Sequence, residues 1–504
     1  MVLFLNKKFM AHKIFCASIL GMEAKLVEIE ADQGGGELGK IRIVGLPDTS
    51  VNESQERLRS AIKNSGYEFP RRKITVNLAP ANIRKKGSQY DLPIALAILG
   101  LKNKIKIQPR KIFAVGELSL TGKTKAIKSI LPLVILAAQE GFTEIFIPTE
   151  NLSEALIVRG IKIFPVSSLN QLADFMFKGL TLSGRKSPAF EASNKPDDKS
   201  IWQNILGQSQ AKRAAEISLA GGHHLLMIGS PGSGKTMIAK TMAKSLPPNS
   251  PEKSLEVANI KSIYGLAAKI GDDFFQGMFR AVHHTSSKLA ILGGGRKLCP
   301  GEISLSHHGI LFLDELTEFP KATINALRQP MEENKILISH AEESCFFPCS
   351  FILVAATNPC PCGFFGDKKI NCRCRPNQLA NHRQKISGPI LDRFDLRINL
   401  ERPEANNQKD YFPSAKNIER ARKIQEKRGF LNGRSPENHF ELLGLKEKEF
   451  FEQATSKLAC SERAKTKIVK IARTIADLAG EKEIQIKHLA EAFSLRSDDT
   501  ICYN

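Results

Sequence analysis

The chain has 504 residues, more than one hydrophobic core can serve, so two to four domains are expected. With 42% hydrophobic and 25% charged residues and no apolar run long enough to span a bilayer, it reads as a soluble cytoplasmic protein. Its net charge of +21 favours a polyanionic partner such as nucleic acid, against the plainer reading of lysines spread over solvated faces.

The opening stretch, residues 1 to 21, has a faint signal-peptide flavour, but Asn6, Lys7, Lys8, His12 and Lys13 interrupt its apolar run and no small-residue cleavage site follows. Residues 21 to 180 then alternate β-like runs such as "AKLVEIEA", "KIRIVGL" and "KITVNLA" with helical ones such as "SVNESQERLRSAIKNSG". Residues 181 to 200, rich in Ser, Pro, Lys and Asp, read as a linker. From 201 to about 400 strands and helices alternate as in a parallel α/β sheet. Beyond 400 the pattern turns helical; "SERAKTKIVKIARTIADLAG" repeats apolar residues at helical spacing, with Ser461 suited to cap its start and Gly480 its end.

"LLMIGSPGSGKT" is an apolar strand leading into Gly229, Ser230, Pro231, Gly232, Ser233, Gly234, Lys235 and Thr236, followed by a helix. This is a phosphate-binding loop in its proper context. Its glycines let backbone N–H groups face phosphate, Lys235 reaches the β and γ oxygens of ATP, and Thr236 ligates Mg2+. "GILFLDEL" ends a buried strand at Asp314, suited to hold the magnesium, and Glu315, suited to activate the attacking water. "VAATN" ends a further strand at Asn358, which can orient that water, and "SGPILDRFDL" offers Arg393, a finger that a neighbouring subunit can donate.

Directly after the Asn358 strand, Cys360, Cys362, Cys372 and Cys374 form two Cys-x-Cys pairs. Four thiolates suit a closed, structural zinc site, and the alternative is a set of reduced cysteines in a packed loop. The pairs His223–His224, His283–His284 and His307–His308 are expected to serve packing and subunit contacts rather than metal, because neighbouring side chains on a strand face opposite ways.

These stretches, with "FRAVHHTSS", "GGGRKLCPGEISLSHHGILFLDELTEFP", "NPCPCGFFGD…CRCRPNQ" and the front segment "VGLPDTSVNESQERLRSAIKNSGYEFPRRKITVNLAPANIRKKGSQYDLPIALAIL", resemble the AAA+ ATPases, specifically the branch of the magnesium-chelatase ATPase subunit and the ComM/YifB proteins. The resemblance implies a ring, with a hexamer expected. The fold expected is an α/β one: a Lon-protease/S5-like α+β domain over 1–180, a linker over 181–200, an AAA+ P-loop core over 201–400 and a helical lid over 401–504. It also implies that Gly207 and Gln208 lie near the adenine, that Asn358 is the first sensor and Arg393 the finger, and that Arg463 is the second sensor, with Arg473 on the same helix as its rival. Against the family pattern residues 1–9 look like an extra leader, and Met10 is a candidate start. In the Lon-like domain Asp91 stands where a Lon serine would, Pro132 stands where the lysine would, and Ser88 lacks a lysine partner, so a fold without the protease is expected.

DNA-contact candidates are Arg296 and Lys297 in a Gly-rich insertion, and Lys465, Lys467 and Lys470 on the C-terminal helix, whose plainer reading is a solvated charged face. A predicted hairpin, "KILISHAEESCFFP", carries His340, Glu342 and Glu343 at its tip and would repel phosphate. The functional expectation is ATP hydrolysis coupled to DNA branch migration or remodelling, as ComM performs in natural transformation. The alternatives are a motor that remodels a protein partner, as the chelatase subunit does, and a nucleotide-dependent scaffold.

Overall fold

The computed structural model describes residues 13–34, 39–103, 111–189, 201–267, 271, 273–295, 298–340, 343–386, 388–402, 411–436, 439–458 and 460–496. The expected leader and Met10, residues 190–200 of the expected linker, Arg296, Lys297 and Glu342 lie outside these. The chain divides into two compact units: residues 1–191 with 258–274, and residues 192–257 with 275–504. The return of 258–274 to the first unit is announced by no change in composition.

The first unit is built on seven strands: β1 (Ile14–Leu20), β2 (Glu23–Gly34), β3 (Ile41–Val44), β4 (Lys73–Ala79), β5 (Ile112–Ala114), β6 (Glu144–Pro148) and β7 (Lys162–Val166). They order as β3-β4-β2-β1-β5-β6-β7, antiparallel at β4-β2-β1 and parallel elsewhere. Helix α1 (Thr49–Asn64) starts where the Asp48 carboxylate accepts from the Val51 N–H at 2.9 Å, satisfying one of the free amides of its first turn. Helices α2 (Asp91–Gly100) and α3 (Ile130–Gln139) are almost wholly apolar and mostly buried.

Where a Lon serine is expected, Asp91 is buried and paired with Arg57 at 3.2 Å, and it accepts from the Leu118 N–H at 3.2 Å. Burial pushes its carboxyl up to about 6 against the pull of that guanidinium. Ser88 donates its hydroxyl proton to Glu117, and Pro132 offers no ionisable group. Part of the expected linker is not free chain. Arg185 exchanges two backbone hydrogen bonds, of 2.7 and 2.8 Å, with Ile163 on the edge strand β7.

In the second unit, α4 (Ser209–Gly221) precedes β8 (Leu225–Gly229), which runs through the phosphate loop into α5 (Lys235–Lys244), and α6 (Pro251–Tyr264) begins there and ends among the residues of the first. Strands β9 (Phe279–Val282) and β10 (Ile310–Leu313) follow, then helix α7 (Arg328–Glu333) and the hairpin β11 (Lys335–His340) with β12 (Glu343–Pro348). Strand β13 (Ile352–Thr357), helix α8 (Pro376–Gln384) and strand β14 (Leu396–Leu400) complete the α/β part. The sheet order is β9-β10-β13-β8-β14, and all pairs are parallel. Strands β8, β10 and β13 are buried throughout, as strands covered on both faces must be.

The helical region comprises α9 (Ala415–Lys427), α10 (Leu445–Lys457), α11 (Glu462–Ala479) and α12 (Ile486–Ser494). As the sequence suggests, Ser461 caps α11 by accepting from the Ala464 N–H at 3.2 Å, and Gly480 ends it in a left-handed conformation. The apolar face of α11, with Ile468, Ile471 and Ile475, joins one continuous core with Met227 and Ile398 of the sheet and with Trp202. No helix among the described residues is long and apolar enough to cross a membrane.

Trp202 is the chain's single tryptophan; it is fully buried and donates to Ser245 Oγ at 2.9 Å. Its fluorescence therefore reports on this unit. Truncating Ile475 to Ala is expected to cost about 2–5 kcal/mol and to shift the whole Trp202 unfolding transition to lower denaturant. A helical region that melted first, leaving that transition where it was, would contradict the shared core.

Candidate nucleotide site and cysteine cluster

Strands β8, β10 and β13 end side by side, so the residues just past each end meet. Lys235 Nζ folds back onto its own loop, donating to the carbonyls of Gly229 at 2.6 Å and Ser230 at 3.1 Å, and to Asn358 Oδ1 at 3.2 Å. Burial pushes this ammonium down, while Asp314 and Glu315 pull it back up. Thr236 Oγ1 donates to Asp314 Oδ2 at 2.9 Å, which sets the hydroxyl and the carboxylate side by side as two oxygen ligands for one hard cation.

Backbone conformation aims these groups. Gly232 and Gly234 take left-handed φ values of 81° and 90°, turning the loop's amides inward. Glu315 is itself left-handed, with φ of 52°, and its N–H donates to Asp314 Oδ1 at 3.0 Å. That twist separates two adjacent carboxylates. Asp314 turns to Thr236, while the half-exposed Glu315 turns to His284, whose Nδ1 lies 3.5 Å from Oε2. Asn358 is anchored through its carbonyl, which accepts from His382 Nε2 of α8 at 3.0 Å. Gln208 reaches across from the start of α4, and its amide donates to the Ser233 carbonyl at 3.4 Å and to the Glu401 carbonyl. Gly207 precedes it, also left-handed at φ of 61°.

The cysteine sulfurs converge. Cys360 Sγ lies 3.3 Å from Cys362 Sγ and 3.7 Å from Cys372 Sγ, and Cys362 to Cys372 is 3.6 Å. Four sulfurs about 2.3 Å from one tetrahedral ion would stand about 3.8 Å apart, whereas a disulfide would need about 2 Å. The Cys362 N–H donates to Cys374 Sγ at 3.4 Å and the Phe365 N–H to Cys360 Sγ at 3.3 Å, an arrangement that favours thiolate charge. The chemistry and spacing of the four donors fit a closed metal site. The same loop presses on the phosphate loop: a Cβ added at Gly363 would come within 2.6 Å of Pro231 Cδ. Phe365 and Asp367 of the same loop line a cavity of about 260 Å3, together with Ser230, Asn358, His382 and Arg402.

Other expected residues lie apart from this centre. Arg393 donates to the Pro389 carbonyl at 2.8 Å and pairs with Glu332 of α7. Arg463 is exposed on the first turn of α11. Its rival Arg473 is committed inside the lid, to Asp477 at 3.1 Å and to the carbonyls of Glu481 and Lys482 at 2.6 Å. The three α11 lysines expected as DNA contacts differ in what they hold. Lys465 is partly exposed and pairs with Glu462 at 2.7 Å, but Lys467 bonds to the Arg393 carbonyl at 2.8 Å and to Asp395 at 2.7 Å, and Lys470 bonds to the Ser435 carbonyl. Helical spacing cannot separate a solvated lysine from one whose ammonium reaches an inward carboxylate. Sequence reasoning also passed over Glu332 and Asp395 and read His284 as packing, because their partners are distant in the chain.

The histidine pairs divide by backbone geometry. His307 and His308 both direct Nε2 at one oxygen of Glu256, at 3.1 and 2.8 Å, because left-handed His308 (φ 54°) breaks the strand-like alternation assumed for neighbours. The Ser350 N–H donates to His307 Nδ1 at 2.9 Å, so the neutral ring carries its proton on Nε2, where it meets Glu256 as a donor and not as a metal ligand. Burial pushes His307 down to about 4, and the two imidazole hydrogen bonds hold Glu256 well below the usual carboxylate range. Metal analysis of a Glu256→Ala variant is therefore expected to give the same metal content per chain as the parent; a loss would assign an ion to this triad.

Comparison with known sequences matches residues 201–408 to the family described as "Magnesium chelatase, subunit ChlI", residues 27–151 to "Subunit ChlI of Mg-chelatase" and residues 413–496 to its C-terminal part. The chain is 37% identical over 499 residues to the competence protein ComM of Haemophilus influenzae, covering 96% of this chain and 97% of that one. It is 38% identical over 494 residues to YifB of Escherichia coli K12, covering 96% of each. By these similarities the chain belongs to the magnesium-chelatase-like ComM/YifB family of AAA+ ATPases.

Proposed function

We propose that this protein is a ring-forming ATPase, a hexamer, that couples ATP hydrolysis to remodelling or branch migration of DNA. The observation that carries the ATPase reading is the meeting of Lys235, Thr236, Asp314, Glu315 and Asn358 at one sheet edge. The Gly229–Thr236 loop would hold the phosphates, Gly207 and Gln208 would lie toward the base, and Thr236 with Asp314 would hold Mg2+. ATP with its magnesium supplies the scissile phosphoanhydride and neutralises charge as it breaks. Lys235 is held by loop carbonyls that an incoming anion would replace. Glu315, turned away from Asp314 and half-exposed, can accept a proton from water, while the Asn358 amide orients that water. Glu315→Gln is expected to leave nucleotide affinity unchanged and to lower turnover by about 10²–10⁴-fold; undiminished hydrolysis would remove Glu315 from this role.

Arg393 is turned to Glu332 rather than to its own phosphate loop, which supports donation to a neighbouring subunit's site, and Arg463, exposed on the first turn of α11, is read as the second sensor. Arg393→Ala is expected to abolish turnover alone and to regain part of it when mixed with Lys235→Ala subunits. No recovery in mixed rings would argue for a role within its own subunit.

The cysteine cluster is read as a structural zinc site that stiffens the phosphate loop through the Gly363–Pro231 contact. Purified protein is expected to carry one zinc per four-thiolate site, and its removal to weaken nucleotide binding. Metal-free protein with full affinity would reject the clip.

The DNA reading draws support from similarity to the competence protein ComM and from the net charge of +21. The engagement of the Lys467 and Lys470 ammonium groups within the protein favours the second reading, a motor acting on a protein partner, because it leaves Lys465, with Arg296 and Lys297 of the Gly-rich loop, as the basic candidates. Steady-state hydrolysis measured with no DNA, single strands, duplex and a four-way junction at two salt concentrations separates the two. Salt-sensitive stimulation, greatest with the junction, is expected; turnover indifferent to every DNA would favour the protein-remodelling reading.

A further inference from the structure

We propose that Lys467 is a positioning residue for Arg393, and that it works with Asp395 as a brace tying the finger turn to the helical lid and to the strand that feeds the phosphate loop. The proposal rests on the reading of Arg393 as a finger and goes beyond it by naming what holds the finger in place.

A single ammonium makes two bonds to the turn that carries the finger. Lys467 Nζ donates to the carbonyl of Arg393 itself at 2.8 Å and pairs with Asp395 Oδ1 at 2.7 Å. The other oxygen of Asp395 accepts from the His224 N–H at 2.9 Å, and His223 lies 3.7 Å from it. His224 adjoins β8, whose far end is Gly229, the first residue of the phosphate loop. One buried carboxylate thus joins three parts of the unit that are remote in sequence.

The lid grips the turn elsewhere as well. Arg496, beyond α12, donates through Nη1 to the carbonyls of Phe394 and Asp395 at 2.8 and 3.0 Å, and the Arg397 N–H donates to the Leu495 carbonyl at 2.9 Å. Phe394 is fully buried beneath the turn. Burial by itself would push the Asp395 carboxyl up, but Lys467 and the two histidines outweigh it and hold the group well below the usual carboxylate range. Burial lowers the Lys467 ammonium to about 8 against the pull of Asp395, so the charged pair is complete below that pH and weakens as pH rises through it. The flanking residues of α11, Ile468 and Val469, are fixed in the shared core, so Lys467 moves only with the lid. A finger that stabilises a phosphoryl transition state has to be placed closely, since a displacement of about 1 Å can cost about 100-fold in rate. A rotation of the lid would be delivered to the Arg393 backbone through the Lys467 bond to its carbonyl, and to the same turn through Asp395, and would be felt at whichever site the guanidinium serves.

The test uses full-length protein and two substitutions, Lys467→Met alone and Lys467→Met with Asp395→Asn, the second of which removes both charges while keeping an acceptor for the His224 N–H. Folding is verified by Trp202 fluorescence and thermal unfolding. The expected result is unchanged affinity for a fluorescent ATP analogue and unchanged KM, with kcat lowered by about 100-fold, and partial recovery in Lys467→Arg. The decisive reading comes from mixed rings. Lys235→Ala subunits that also carry Lys467→Met should poison wild-type rings more strongly than subunits with Lys235→Ala alone, because only the former spoil a neighbour's site. Equal poisoning, or wild-type kcat in the folded double variant while Arg393→Ala is inactive, would overturn the brace. Full activity in Arg393→Ala would instead overturn the finger, and the brace with it.

Discussion

All five strands of the ATPase-unit sheet run parallel, and this one constraint brings the candidate site into being. Parallel strands discharge their chains at the same edge, so whatever follows β8, β10 and β13 must gather there. Thr236 and Asp314 are 78 residues apart and Lys235 and Asn358 are 123 apart, yet Lys235 touches Asn358 and Thr236 touches Asp314. The strands can sit side by side because they are apolar on both faces, and the polar residues that follow them then come within reach of one another.

At both ends of strand β10 the protein spends backbone strain where direction matters. Glu315 and His308 both occupy left-handed conformations that favour glycine, and each redirects a charged or titratable side chain. At Glu315 the twist keeps two neighbouring carboxylates from competing for one task. At His308 it folds two imidazoles onto Glu256. The cysteine loop adds a second support from outside the sheet, close enough to the phosphate loop that glycine is required at Gly363.

The lid is bound to the sheet by apolar packing and by a small set of buried polar bonds centred on Asp395. The apolar core sets how firmly the two adhere; the polar bonds set register, since hydrogen bonds to the carbonyls of Arg393, Phe394 and Asp395 tolerate little displacement. This division makes the turn bearing Arg393 an outpost of the lid as much as of the sheet.

Much of this was legible in the chain. Local signals sufficed for the phosphate loop, for the strands that end at Asp314 and Asn358, for the β11–β12 hairpin and for the α11 caps at Ser461 and Gly480, because each depends on neighbours within a few residues. The four cysteines were legible as a group for the same reason. What the tertiary structure alone decided was which charges face inward. Lys467 and Lys470 share a helix with Lys465 and look alike in sequence, but only folding brings Asp395 and the Ser435 carbonyl within reach of the first two. The ion pair of Asp91 with Arg57, the hold of Glu332 on Arg393 and the nearness of His284 to Glu315 are likewise set by packing between remote segments. Local chemistry names the residues able to act, and long-range burial decides whether their charge is spent inside the fold or left available.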